Sequence, residues 1–356
     1  MESVAGMIDA FYRNKRVFVT GHTGFKGSWL CAFLSVLGAE VSGYALKPPT
    51  DPALYDIAGI DKSIQSVIGD IRDLELLKKS LKNFGPQIVI HMAAQPIVRA
   101  SYADPVYTYE TNVLGTVNIL EAIRSCDTVK SFLNVTTDKV YENKEWDWGY
   151  REIDRLCGWD PYSNSKSCSE LVTHSYKNSF FSGIQKAVST VRAGNVIGGG
   201  DFAQDRIIPD CVRAVLAGQE IAVRNPYSVR PYQHVLEPLF AYLTIAEKQF
   251  ENKDFQGSYN IGPNESDCVT TGQLADLFCE EWGNIKWKNK SSPDAVHEAN
   301  FLKLDCSLAK NKFGISPKWN IKTAVKKTVE WTKCFVEGQD PGLCMQKQIS
   351  GYLKGL

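Results

Sequence analysis

A tyrosine and a lysine lie four residues apart in the run Tyr162-Ser-Asn-Ser-Lys166. In a helix that spacing puts both side chains on one face. An ammonium beside a phenol lowers the phenol pKa, so tyrosinate can act as a base near neutrality. Upstream, the apolar run SFLNV ends in Thr136-Thr137-Asp138-Lys139, which adds a hydroxyl, a carboxyl and a second amine. Lys139 can remove a proton only as the neutral amine, which burial or nearby Lys166 would favour. Near the start, Gly21-His-Thr-Gly24-Phe-Lys-Gly27 spells G-x-x-G-x-x-G. Glycines at such a turn let the backbone approach a pyrophosphate at a helix N-terminus. Gly21, Thr23, Gly24, Phe25, Lys26 and Gly27 are therefore candidates for binding a dinucleotide.

These residues must be held by regular elements. Residues 16–20 form a short β-branched strand, and helical spacing follows from Phe25 to Leu37. Strands are expected at 41–46, 63–70, 87–94, 131–137 and 187–198. Helices are expected at 74–84, 107–126 and 162–179. Strands alternating with helices imply βαβ units and a parallel sheet covered on both faces. The fold class is α/β, a Rossmann-type doubly wound parallel sheet with a smaller C-terminal α/β lobe for substrate. Residues 1–198, with returning segments near 226–260, form the dinucleotide-binding domain. Residues 199–225 and 261–356 form the nucleotide-sugar-binding lobe; after residue 200, helices are expected near 209–217, 236–250, 271–282 and 322–336.

Composition narrows the function. The 356 residues are 44% hydrophobic and 22% charged, ordinary for a globular chain. Lys plus Arg equals Asp plus Glu at 40 each, which argues against a nucleic-acid partner. No run reaches the ~18 apolar residues of a membrane span, and the first residues do not read as a signal peptide, so a cytoplasmic location is expected. The ten cysteines include no C-x-x-C and read as reduced thiols, with no metal site expected.

The usual acidic residue that holds the ribose of NAD at the end of strand two is absent. That segment reads Tyr44-Ala45-Leu46-Lys47. Lys47, with Lys26 and His22, could face a 2′-phosphate, so NAD and NADP both stay open on these residues. Asp70-Ile71 could address the adenine edge.

Taken together, these motifs resemble the extended short-chain dehydrogenase/reductases, and among them the nucleotide-sugar 4,6-dehydratases. The matching pieces are Gly21–Gly27, Gly69-Asp70-Ile71-Arg72-Asp73, His91-Met-Ala93-Ala94-Gln95, Asn112, Thr136–Tyr141, Tyr162-x-x-x-Lys166 and Arg192-Ala-Gly-Asn195-Val-Ile-Gly. GHTGFKGSWL, HMAAQP, RAGNVIGGGD and HVLEPL resemble the branch that acts on CDP-glucose. Lys139, where most of the family has Glu, points to the same branch. The resemblance implies NAD as cofactor, bound also by Ala93, Ala94, Gln95, Asn112, Tyr162 and Lys166. It implies Thr137, Asp138, Lys139, Tyr162 and Lys166 as catalytic residues. It implies Arg99, Asn195, Arg206, Arg230 and His297 as contacts for CDP-glucose or a related nucleotide sugar. Tyr162 would take the O4 proton, Lys139 the C5 proton, and Asp138 would help the C6 hydroxyl leave. A homodimer or dimer of dimers is implied through the helices at 107–126 and 162–179. A 4-epimerase or decarboxylase would leave Asp138 and Lys139 without a role. A non-catalytic dinucleotide-binding module would have no use for the Tyr162–Lys166 pair.

Overall fold

The computed structural model describes residues 8, 10–291 and 301–355. Seven parallel strands form one sheet: β1 Arg16–Thr20, β2 Glu40–Ala45, β3 Gln65–Ile68, β4 Ile88–His91, β5 Ser131–Val135, β6 Ala187–Ala193 and β11 Ser258–Ile261. Their order across the sheet is β11-β6-β5-β4-β1-β2-β3, and every pairing is parallel. The strands of the middle are buried on both faces, which explains why they are mostly apolar and why their few polar side chains find partners inside. The order reverses between β1 and β4, so a crevice opens beyond their carboxyl ends, where ligands bind in such sheets.

One face is covered by α2 Leu74–Phe84, α5 Gly115–Arg124 and α6 Pro161–Phe180. Their Leu77, Leu81, Ile119 and Ile123 pack with Phe18, Val89 and Phe132 of the sheet. The other face carries α1 Phe25–Val36, α8 Leu236–Glu251 and α12 Pro341–Lys354. Trp29, Phe33, Leu239, Tyr242, Met345 and Ile349 share that core. The last helix of the 261–356 segment thus packs against α1 under the sheet, because its Met345, Ile349 and Tyr352 form an apolar face with no counterpart in the smaller lobe. The smaller lobe has its own core around Ile208, Cys211, Ile221, Leu274, Phe278 and Val325. It is built by α7 Ile207–Leu216, β8 Ile221–Val223, α9 Thr271–Trp282 and α11 Ile321–Val336.

Two expectations are corrected. The helix expected at 107–126 is α4 Pro105–Tyr109 and α5 joined by a π-helical turn at Glu110–Leu114. The widened turn is of the kind often found at functional sites, and it carries Asn112. The ten cysteines are not all free: Cys334 on α11 and Cys344 on α12 are joined as a disulfide. The helical hairpin brings them together, which spacing along the chain does not reveal.

Candidate active site

The phosphate-binding turn is shaped by close approach. Gly21 sits at φ +79, and a Cβ on it would lie 2.8 Å from the Ala93 nitrogen. A Cβ on Gly27 would lie 2.0 Å from the Gly21 carbonyl oxygen. The turn is therefore pressed between the N-terminus of α1 and the end of β4, and only glycine fits. Thr23 Oγ1 donates to the Leu46 carbonyl at 2.9 Å, tying the turn to the end of β2. Gly24 is the N-cap of α1 and makes no side-chain cap, which leaves the helix N-terminus clear for an anion. This backbone cradle fits a dinucleotide pyrophosphate. Phe25 opens α1 and touches the position of Gly198, where a Cβ would meet its ring at 3.1 Å.

The loop after β4 is fixed from behind. Thr20 Oγ1 accepts the Met92 and Ala93 N–H groups at 3.1 Å each and bonds His91 Nδ1 at 2.7 Å. Asn112 spends both ends of its amide on this region. Its Oδ1 accepts Gln95 N–H at 2.8 Å, and its Nδ2 donates to the Gln95 carbonyl and to Ser165 Oγ. The Gln95 amide donates to Thr108 Oγ1 and accepts from Ile97 N–H. Asn112 and Gln95 thus hold Ala93 and Ala94 in place and tie them to α6. Beyond β3, the Asp70 carboxylate is held by Arg72, which also pairs with Glu110.

The start of α6 is written locally. Asp160 caps the helix by accepting Ser163 N–H, and Pro161 fills the first helical position. Tyr162 therefore lies in the first turn, its N–H donated to Ser101 Oγ at 3.1 Å. Tyr162 and Lys166 are both buried. The Lys166 ammonium donates to the Val135 carbonyl at 3.2 Å, and burial lowers its pKa to about 8. Burial raises the Tyr162 phenol to about 12, while a hydrogen bond with Thr137 and the charge of Arg206 act to lower it.

Thr137, Asp138 and Lys139 follow β5, with the last two opening a 3₁₀ turn. Asp138 is buried, and burial raises its carboxyl pKa against the opposing charges of Lys139 and Arg230. Lys139 is half-buried rather than buried. Arg230 is buried, and its Nη1 donates to the Val229 carbonyl. Arg206 precedes α7 and pairs with Asp201 at 3.3 Å. Arg99 is exposed on α3 Val98–Ala103 and pairs with Asp205 at 3.2 Å. The Asn195 carbonyl accepts Gln233 N–H. His297 lies outside the described residues.

Two basic residues considered for a 2′-phosphate are engaged within the protein. His22 is buried, with Nε2 on Ser66 Oγ at 2.7 Å, so its ring faces the protein interior. Lys26 points toward α8, where its ammonium donates to Tyr242 Oη at 3.1 Å. Burial and the charges of Arg206 and Lys166 lower its pKa to about 7. Tyr242 feels the charges of Tyr162 and Asp138, so it borders the same site although no motif marks it.

A doubly wound sheet with a glycine cradle at its switch point and a buried Tyr–Lys pair beside it defines a dinucleotide-dependent enzyme of the short-chain dehydrogenase/reductase type. The family model for GDP-mannose 4,6 dehydratase matches residues 18–328, and the chain belongs to that family. The CDP-glucose 4,6-dehydratase of Salmonella typhimurium is 47% identical over 354 residues, spanning 98% of this chain and 99% of that protein. Among solved structures, a UDP-glucose 4-epimerase from Stenotrophomonas maltophila is similar at TM-score 0.81 and 19% identity, covering 91% of this chain and 100% of that one. A dTDP-glucose 4,6-dehydratase from Streptomyces venezuelae gives TM-score 0.77 and 24% identity, covering 92% and 99%.

Proposed function

We propose that this enzyme dehydrates CDP-glucose across C5 and C6 to CDP-4-keto-6-deoxyglucose, with NAD as its dinucleotide. The observation that carries the reading is the placement of Asp138. It is a buried carboxyl whose pKa burial raises, next to Thr137 and Lys139 and close enough for its charge to act on Tyr162. A 4-epimerase needs no such acid. The CDP-glucose choice is supported by the 47% identical Salmonella relative.

Gly21, Thr23, Gly24, Phe25, Lys26 and Gly27, with Asp70, Ile71, Ala93, Ala94 and Gln95, would hold the dinucleotide, and Lys166 its nicotinamide ribose. Bound there, NAD would supply a reversible hydride acceptor for the sugar, so none would be consumed. Tyr162 removes the O4 proton, with Thr137 sharing the hydrogen bond and Arg206 favouring the tyrosinate. Lys139 takes the C5 proton, and a proton returns to C5 when the hydride reaches C6. Asp138, as a neutral acid, delivers a proton to the departing C6 hydroxyl. Arg206 and Arg230 flank Tyr162 and Asp138, which suits them to diphosphate. Arg99, Asn195 and His297 complete the nucleotide-sugar site.

Two copies are taken to pair through α5 and α6, where Leu114 beside α5 and Leu171 on α6 are more than half exposed. The location is taken to be cytoplasmic. No helix of the described residues is long and apolar enough to cross a membrane.

The test incubates the protein with CDP-, dTDP- or UDP-glucose, each with NAD or NADP. Loss of water from CDP-glucose with NAD is the expected result. Loss of water from another nucleotide sugar alone would move the substrate. A sugar of changed configuration and unchanged mass would make the enzyme an epimerase.

A further inference from the structure

The Glu170–Arg192 ion pair takes no part in the scheme above, yet it is the most deeply buried pair among the described residues. The two side chains are 2% and 3% exposed, with Arg192 Nη2 at 2.8 Å from Glu170 Oε2. We propose that Glu170 and Arg192 are positioning residues for the elimination step, clamping the turn that carries Thr137, Asp138 and Lys139 at both of its ends.

At the entry to the turn, Thr136 Oγ1 donates to Glu170 Oε1 at 2.5 Å, and Thr136 N–H donates to the Val191 carbonyl at 2.8 Å. At its exit, Arg192 Nη1 donates to Tyr141 Oη at 2.8 Å, and the guanidinium lies 5.1 Å from the centre of the Tyr141 ring. Tyr141 passes the grip on, donating to Asn260 Oδ1 of β11 at 2.6 Å. Asn260 Nδ2 in turn donates to the carbonyls of Tyr150 and Asp305. Thr190 Oγ1 bonds the other Glu170 oxygen at 2.7 Å. Both carboxylate oxygens are thus used, and the segment from Thr136 to Tyr141 is pinned front and back to β6 and α6.

A buried ion pair is a poor source of stability compared with apolar packing of the same volume. What it supplies here is direction, because each bond fixes one atom at one place. The turn between the two grips is short, so its ends determine where Asp138 and Lys139 stand. The roof over Asp138 hangs from the same strand. Gly194 lies two residues beyond Arg192, and a Cβ there would meet Pro231 at 2.5 Å and Asp138 Oδ2 at 3.1 Å. Glu170 also sits one turn along α6 from Lys166, where its charge favours the ammonium.

The inference rests on the dehydratase reading. Its test uses Tyr141→Phe and Thr136→Val, one at each end of the turn, neither altering charge. Wild-type and variant enzymes are mixed with CDP-glucose and NAD, quenched at intervals and analysed by mass spectrometry, with circular dichroism to compare the folds. Each variant is expected to lose roughly ten- to a hundredfold in kcat, as for a small misplacement of reacting groups, with KM little changed. Each is also expected to accumulate a sugar oxidised at C4 that still carries its C6 oxygen. Variants matching wild type, or losing oxidation and elimination in equal proportion, overturn the proposal. If Tyr141→Phe does not fold, Thr136→Val carries the test alone. Wild-type enzyme that removes no water from CDP-glucose overturns the dehydratase reading instead.

Discussion

Thr137 Oγ1 lies 3.0 Å from Asp138 Oδ1, and the second oxygen of that carboxyl is sealed from water without a hydrogen-bond partner. A buried carboxylate in that position would leave charge unsolvated, so the neutral acid is favoured. Asp138→Asn keeps the shape but has no proton to give. It should oxidise C4 yet eliminate water roughly 10²–10⁴-fold more slowly. Quenched reactions with CDP-glucose measure this directly, and normal turnover by the variant removes Asp138 from the acid role.

Gly194→Ala should reproduce part of that defect without replacing a reacting group. The added methyl presses on Pro231 and on Asp138 Oδ2. Dinucleotide binding should be kept, because the cradle at Gly21–Gly27 is built on a different strand. Isothermal titration with NAD, run beside the water-loss assay, separates the two effects.

The pH profile follows from Lys166. Burial lowers its pKa to about 8, and the Glu170 charge acts in the opposite sense. Lys26 and His91 also feel this lysine, from α1 and β4. A lysine loses its charge as pH rises through its pKa, so kcat/KM should fall above about pH 8 if the ammonium is the active form. Lys166→Arg keeps its charge throughout. It should be slower at neutral pH but lose the alkaline limb near 8. A limb that stays at the same pH belongs to another group.

Stability should fall in acid for a separate reason. His91 and His234 are fully buried, and burial lowers the pKa of each from 6.5 to about 3. The folded state keeps them neutral while the unfolded chain protonates below about 6.5. Their contribution is complete above that pH and is lost as pH falls toward about 3. Each costs on the order of 1.4 kcal/mol per pH unit within that window. Urea unfolding at pH 7, 6 and 5 should show midpoints dropping. His91→Asn should flatten the drop if it folds, and an unchanged slope would falsify the assignment.

Much of this was legible in the chain because the signals are local. A glycine turn between strand and helix, and a capped helix start with Tyr162 in its first turn, are set by neighbours in sequence. The strands 16–20 and 131–135 read well because burial on both faces leaves short, mostly apolar runs. What escaped was set by tertiary packing. Lys26 lies in the glycine motif, yet its side chain crosses to Tyr242 on α8, far along the chain. Asn112 matched a motif, but not that a π-helical turn aims its amide at Gln95 and Ser165. The Glu170–Arg192 pair joins two elements whose separate patterns carry no mark of it. The pairing of Cys334 with Cys344 depends on how two late helices meet.

The seventh strand has a consequence for how the molecule is made. β11 lies beside β6 with Ser258 opposite Thr190, and Asn260 on β11 anchors Tyr141. During synthesis, residues 16–193 can assemble a six-stranded sheet that leaves β6 as a bare edge until the chain has grown past Ile261. Such an edge is open to pairing with another nascent chain, and parallel strands so far apart in sequence join slowly. The turn from Thr136 to Tyr141 would gain its anchor on Asn260 only once β11 has joined the sheet. One hold on that turn is thus supplied by a residue that emerges long after Lys166.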